Sequence, residues 1–291
     1  MKDFAGKVAV ITGGASGIGR AIADRLAREH VKIVLADVEP KALDASVSEM
    51  RARGHEVIGV VTDVRKLDAV KALAAKTLET YGGVQLVFLN AGVGTDETRS
   101  MIWDSPETDW RWVLDVNLFG VLNGIKAFVP ILLQRDEEAH VICTSSGNGG
   151  LFPLPTTPIY AAAKAAVTCV AEVLHAQLSM SGAPVKAGVL FPGPHLVRTN
   201  IFTAYRNRPA DFPDEKPADS PPPTLEDIRG MIESAGLEFA VTEPAEVAEL
   251  AIDGIRRDRF WILPESEQTD ERVRERLQGI LARENPPLRF M

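Results

Sequence analysis

This 291-residue sequence predicts a single-domain α/β fold, a doubly wound parallel sheet with a C-terminal substrate lid and a helical tail. Three observations predict it. Short β-branched apolar runs alternate with helically spaced segments as far as residue 190, which makes parallel strands joined by right-handed helical crossovers. A glycine-rich turn, TGGASGIG at 12–19, leaves the first run and opens the first helix. Polar clusters then recur at strand ends, the edge where such a sheet binds ligands.

Residues 7–12 (KVAVIT) show no polar alternation and read as a buried central strand. The turn that follows has spacing Gly13-x3-Gly17-x-Gly19. Its glycines let a pyrophosphate approach the backbone, and the N–H groups opening the helix face the anion. Ile18, Ile22 and Leu26 form the apolar stripe of a helix reaching residue 30. Residues 32–36 form a second strand ended by Asp37, whose carboxylate can accept from both ribose hydroxyls of an adenosine and repels a 2′-phosphate. That favours NAD over NADP; the plainer role of Asp37 is a helix cap ahead of Pro40.

A helix over 41–53, a strand over 56–61, a helix over 67–81 and a strand over 85–89 continue the alternation. Asp63 and Val64 follow the third strand, and Asn90-Ala91-Gly92 follow the fourth. Residues 107–133 read as one long apolar helix, bent near Gly120 or Gly124. A strand over 139–144 ends at Ser145-Ser146, a helix spans 160–180, and a strand spans 185–190. Beyond the turn 191–194, residues 203–224 are polar and proline-rich, and a lid at about 200–235 is predicted inside the single domain 1–291. Thr242 caps a helix to about residue 257 with Pro244 in its first turn; a strand at 260–263 and a charged helix at 265–284 finish the chain.

Net charge −8 and pI near 5.3 argue against a nucleic-acid or anionic-membrane surface. No apolar run of membrane-spanning length is read, and the N-terminus lacks a signal-peptide pattern, so a cytoplasmic protein is expected. Cys143 and Cys169 read as free buried thiols, and their surroundings have no metal-ligand spacing. The long apolar helices at 107–133 and 158–180 suggest a homodimer or homotetramer.

Tyr160 and Lys164 are four residues apart and share one helix face. An ammonium beside a phenol favours phenolate and makes the pair an acid/base device. With the motifs above, the chain resembles the short-chain dehydrogenase/reductases along nearly its whole length. Gly13, Ser16, Gly17, Ile18 and Gly19 are similar to that family's cofactor turn, and Asn90-Ala91-Gly92 to its sheet-stabilising motif. Asn117, Ser146, Tyr160 and Lys164 fall where its catalytic tetrad lies; Pro192, Gly193, Val197 and Thr199 resemble its nicotinamide-side segment.

The resemblance implies a Rossmann-type oxidoreductase that interconverts a small-molecule secondary alcohol and a ketone with NAD. Tyr160 is the implied acid/base, its pKa lowered by Lys164 and oxidised nicotinamide. Ser146 donates to the substrate oxygen, Lys164 binds the nicotinamide ribose, and Asn117 holds a water that joins Lys164 to solvent. Asp63 and Val64 flank the adenine, and Thr199 holds the carboxamide with Val197 beside it. Ser146 precedes Tyr160 by 14 residues, where many members have 13. Gly147 occupies the commoner position, so Ser145 or Ser146 must serve, and Ser146 is the choice. The stretch from Gly193 to Thr199 is also longer than usual; His195 within it reads as a surface loop residue.

Residues 110–130, Asn207-Arg208-Pro209 and the MKDF start resemble the NAD-dependent Cα-dehydrogenases of lignin-dimer breakdown. That implies an aryl-bearing, benzylic alcohol. The alternatives are a non-catalytic NAD-binding sensor or scaffold of the same fold, and an NADPH-linked ketoreductase.

Overall fold

Seven parallel strands form one sheet because their β-branched runs can be buried on both faces only between two helical layers. In the computed structural model, residues 1–97, 101–213, 224–234 and 239–287 are described, the side chains at 228, 231 and 232 aside. The first strand, β1 (Val8–Thr12), is central. It pairs with β2 (Lys32–Asp37) on one side and β4 (Leu86–Leu89) on the other. β3 (Val57–Val61) lies outside β2. Beyond β4 come β5 (Ala139–Thr144), β6 (Val185–Leu190) and β9 (Trp261–Ile262), giving the order β3-β2-β1-β4-β5-β6-β9. β1, β4 and β5 are buried at every position, whereas edge strand β3 alternates between covered and more open positions.

The alternating strand side chains feed two cores. Val10, Val87 and Val141 face α3 (Leu67–Tyr81), α5 (Gly120–Arg135) and α6 (Pro158–Ser181) through Leu73, Phe128 and Leu174. Ile11, Leu35 and Phe88 face α1 (Gly17–Ala27), α2 (Pro40–Ala52) and α8 (Pro244–Arg256) through Ile22, Met50 and Ile252. Each such side chain contributes about 1.5–3 kcal/mol when fully buried. Together the sheet and its two layers bear out the predicted fold class.

Several expectations are corrected. The long helix over 107–133 is interrupted: α4 (Glu107–Leu114) meets α5 through a π-helical turn, Asp115–Phe119. Two stretches, Glu107–Arg135 and Pro158–Ser181, are long and apolar enough to cross a membrane, contrary to the reading of apolar runs. Their few polar residues break the runs without lowering the average enough, and one face of each packs on the sheet. Cys169 is exposed while Cys143 is buried. Lys164, Val167, Thr168 and Ala171 turn inward on α6, and the helical period points Cys169 away. Thr242 does not cap α8; it belongs to β8 (Val241–Thr242), which pairs with β7 (Leu196–Val197). Glu243 is the cap, and its N–H donates to the Glu246 carboxylate at 3.1 Å.

A short 3₁₀ helix, Asn200–Asn207, and α7 (Leu225–Ser234) lie in the predicted lid; its residues 214–223 are outside the described residues. The tail helix, α9 (Glu267–Ala282), buries none of its residues completely. It touches the body where Arg276 Nη1 donates to the Leu151 carbonyl at 2.5 Å.

At the opposite end of the sheet, His140 is buried on β5, and neither ring nitrogen has a hydrogen-bond partner among the described residues. Burial, then the nearby N-terminal ammonium, push its pKa down to about 4, against weaker opposing pulls from Glu138 and Asp258. Between that value and the ordinary 6.5, the unfolded chain binds a proton that the folded chain refuses. Stability therefore falls as pH drops through this window, by about 2 kcal/mol at pH 5. Urea unfolding at pH 7 and pH 5 should show this loss in the parent and a smaller one in His140→Leu. Equal losses in both proteins would exclude His140 as the source.

Candidate active site

The glycine turn sits at the C-terminal end of β1, against the loop that follows β4. Gly13 and Gly17 have φ of 64° and 53°, the left-handed region that glycine enters freely. A Cβ on Gly19 would lie 2.2 Å from the Gly13 carbonyl oxygen, so the first turn of α1 packs on the loop only without one. Asn90 fixes this junction from β4. Its amide donates to the Thr12 carbonyl at 3.1 Å, its N–H donates to Thr12 Oγ1 at 2.9 Å, and its Oδ1 accepts from Thr144 Oγ1 at 3.3 Å. The Asn90-Ala91-Gly92 segment thus ties the ends of β1, β4 and β5 together.

A crevice runs from this turn across the strand ends. Gly13, Ser16, Gly17, Ile18, Asp37, Asp63, Val64, Asn90, Ala91, Gly92, Tyr160, Lys164, Pro192 and Thr199 all line it. Gly19, Asn117 and Val197 are not among its lining residues; Ser146 and Gly193 line an adjoining cavity. Asp37 ends β2, and its carboxylate accepts from the N–H groups of Ala15 at 3.0 Å and Glu39 at 3.1 Å. Burial raises its pKa, against those hydrogen bonds. Asp63 is paired with Arg65 at 2.7 Å. The crevice fits a dinucleotide: glycines leave room for phosphates at a helix N-terminus, and a carboxylate waits at the end of the second strand. No cluster of His, Cys, Asp and Glu suited to a metal ion occurs among the described residues.

Tyr160 and Lys164 project from the first turns of α6. Lys164 is buried, with Nζ donating to the Thr144 carbonyl at 2.9 Å and lying 5.6 Å from the centre of the Tyr160 ring. The Ser146 hydroxyl lies beside the phenol and pulls its pKa down. Ser145 points elsewhere: its hydroxyl donates to the Lys164 carbonyl at 3.0 Å and shares a 2.7 Å hydrogen bond with Thr168 Oγ1. The two serines, ambiguous in sequence, therefore occupy different environments. The following residues, 147–151, make a wide turn against α6, with Gly149 at φ 88° where a Cβ would strike the Ala161 carbonyl.

The phenol departs from expectation. Burial, the largest influence, drives its pKa up to about 12, Ser146 pulls it down, and Glu97 pushes it up further. Burial also lowers Lys164 to about 8, weakening the cation expected to favour phenolate. Within the chain alone the tyrosine is held protonated. Asn117, on the π-helical turn, has a committed side chain: Oδ1 accepts from the Val93 N–H at 2.8 Å and Nδ2 donates to the Val93 carbonyl at 2.9 Å. It still lies beside Lys164, since a Cβ on Gly92 would come within 3.4 Å of Asn117 Oδ1 and 3.6 Å of Lys164 Nζ.

Several residues around the site carry no signal in the sequence. Glu97 is buried and accepts from the Ile159 and Tyr160 N–H groups at 2.5 and 3.1 Å. Arg206, on the 3₁₀ helix, reaches over the crevice to Glu39 at 2.5 Å, joined by Asn207 at 2.8 Å. Burial works to raise the Glu39 pKa, but Arg206 and Asn207 outweigh it and hold it low. Arg208 pairs with buried Asp109 at 2.5 Å and stacks over Trp112, fixing the segment after the 3₁₀ helix to α4. These ion pairs join residues about 100 or more positions apart, and no local pattern announces them. His195 lines the adjoining cavity together with Ser146, Phe152 and Phe191.

Residues 7–209 match the family model described as short chain dehydrogenase. A short-chain dehydrogenase/reductase from Burkholderia phymatum, solved in complex with NAD, is 39% identical, with 99% of this chain and 100% of that one covered and a TM-score of 0.87. A C alpha-dehydrogenase of Sphingobium sp. is 32% identical over 96% of this chain and 85% of its own, in line with the expected likeness. A CLA biosynthesis dehydrogenase/reductase of Lactiplantibacillus plantarum is 28% identical over 100% of this chain and 99% of its own.

Proposed function

This chain belongs to the short chain dehydrogenase family, and on that premise we propose that it is a NAD-dependent oxidoreductase interconverting a secondary alcohol and a ketone, with an aryl-bearing, benzylic alcohol as its substrate class. The observation that carries this reading is the Tyr160 phenol, set beside Ser146 and adjoining buried Lys164, at a crevice fit for a dinucleotide.

NAD, when bound, supplies the hydride acceptor. Gly13, Ser16, Gly17 and Ile18 would cradle the phosphates, with Gly19 letting their turn pack on the loop, and Asp37 would take the adenosine ribose. Asp63, Val64, Asn90, Ala91 and Gly92 follow along the crevice, and Pro192, Gly193, Val197 and Thr199 serve the nicotinamide side. As hydride leaves the carbinol carbon, Tyr160 takes the hydroxyl proton; in reduction it returns one to the carbonyl oxygen. A phenol held protonated by burial suits the donating direction; for the other, Tyr160 would act as phenolate, a form that bound oxidised NAD would favour through its cationic ring. Ser146 donates to the same oxygen and steadies developing charge. Lys164 orients the ribose, and Asn117 holds the loop at Val93 against it. The adjoining cavity, with Leu151, Phe152, Leu154 and Phe191 beside Ser146, supports an apolar, aromatic substrate body.

The reading extends to a cytoplasmic homodimer or homotetramer, supported by apolar side chains left exposed on and beside α5 and α6, among them Phe119, Leu133, Val173 and Met180. The test is NAD reduction by a benzylic β-aryl ether alcohol against a small aliphatic alcohol, run with NAD and with NADP. Faster turnover of the benzylic alcohol with NAD is expected. Turnover of only the aliphatic alcohol would sink the aryl reading, preference for NADP would favour the ketoreductase, and inactivity across a broad panel would favour a sensor.

A further inference from the structure

The helix that carries the reacting groups begins without a cap of its own. At the first helical position of α6, Pro158 has no N–H to offer, and the Thr157 side chain makes no cap hydrogen bond. Its hydroxyl instead accepts from the Asn148 amide at 2.6 Å. The first available donors are the N–H groups of Ile159 and Tyr160. Both go to one carboxylate, Glu97, 62 and 63 residues earlier in the chain. Glu97 is 3% exposed. A carboxylate at this point satisfies orphan donors and complements the positive end of the helix.

We propose that Glu97 is a positioning residue for the catalytic tyrosine: it fixes the first turn of α6 and sets a buried negative charge at the backbone of the reacting residue. The proposal rests on Tyr160 being the acid/base. Its geometry makes the backbone of the reacting residue itself the hydrogen-bond donor, so displacement of Glu97 displaces the phenol. On α6 itself Lys164 is the charge nearest the phenol, with Glu172 and His175 more than two turns further along, and Cys143 on β5 interacts with Lys164. α4 carries Asp109, which is paired with Arg208, and the π-helical turn carries Asp115, which acts on Arg65. Glu97 is the neighbouring charge that raises the phenol's pKa.

The experiment compares pH profiles of kcat/KM for alcohol oxidation in the parent, Glu97→Gln, Glu97→Ala and Tyr160→Phe, with melting temperatures alongside. Glu97→Gln keeps an acceptor and removes the charge, so its acid limb is expected to move to lower pH. Glu97→Ala is expected to lose roughly 100-fold in kcat, the scale of a small misplacement, with Glu97→Gln restoring much of it. An unmoved acid limb in Glu97→Gln overturns the proposal, whatever the melting temperatures do and whether or not Glu97→Ala folds. Parent-like turnover in Tyr160→Phe would overturn the underlying reading instead.

Discussion

Tyr160→Phe is expected to reduce kcat by about 10²–10⁴-fold, the usual contribution of a positioned proton donor, and to leave NAD affinity unchanged. The substitution removes one oxygen from a residue whose backbone is held by Glu97 and whose ring neighbours Lys164. The phenylalanine ring has the same shape, so α6 and the crevice should keep their form. What is lost is the one group placed to exchange a proton with the carbinol oxygen. Ser146 cannot replace it, because an alcohol of ordinary acidity is a poor base at neutral pH. Steady-state kinetics and calorimetric NAD titration on the same preparation check both halves. Retained turnover would remove Tyr160 from the mechanism, and lost NAD binding would make its role structural.

Gly19→Ala is expected to weaken NAD binding by about 10-fold and to lower the melting temperature. The added methyl would stand 2.2 Å from the Gly13 carbonyl oxygen, 2.9 Å from its carbonyl carbon and 2.8 Å from the Asn90 amide nitrogen. Two of these are backbone atoms, and the amide is engaged with Thr12, so no rotamer change relieves the overlap. Overpacking of this kind costs about 1–3 kcal/mol and occasionally more. Here it falls on the turn that would hold the phosphates, so part of the cost reappears as lost affinity, tenfold for each 1.4 kcal/mol or so. Gly279→Ala is the control: a Cβ there meets nothing within 4 Å. Unchanged NAD affinity in Gly19→Ala would show that the turn is not the phosphate cradle.

Features that depend on local spacing are legible in the chain. Runs such as KVAVIT and KIVLA can be buried on both faces only in a covered parallel sheet, so the alternation already contained the fold. The positions of Gly13, Gly17 and Gly19 after a strand, of Asp37 at the next strand end, and of Tyr160 four residues before Lys164 follow from fixed backbone geometry, and periodicity reveals them. Boundaries inside the long helix at 107–133 did not follow, because a π-helical turn adds a residue without altering the apolar pattern.

Tertiary structure alone decided which way individual side chains face and what they meet. Ser145 and Ser146 are adjacent and chemically identical, yet one is spent on Lys164 and Thr168 while the other meets the phenol. Cys169 turned out exposed because the inward face of α6 was already taken by its neighbours. The raised pKa of Tyr160 reflects removal of the phenol from water, which penalises phenolate more than the Ser146 hydroxyl favours it. Glu97, 62 residues from the helix it caps, leaves no trace in any local period. Contacts of that reach are chosen by how the strands and loops pack, and packing exists only once the whole chain has folded.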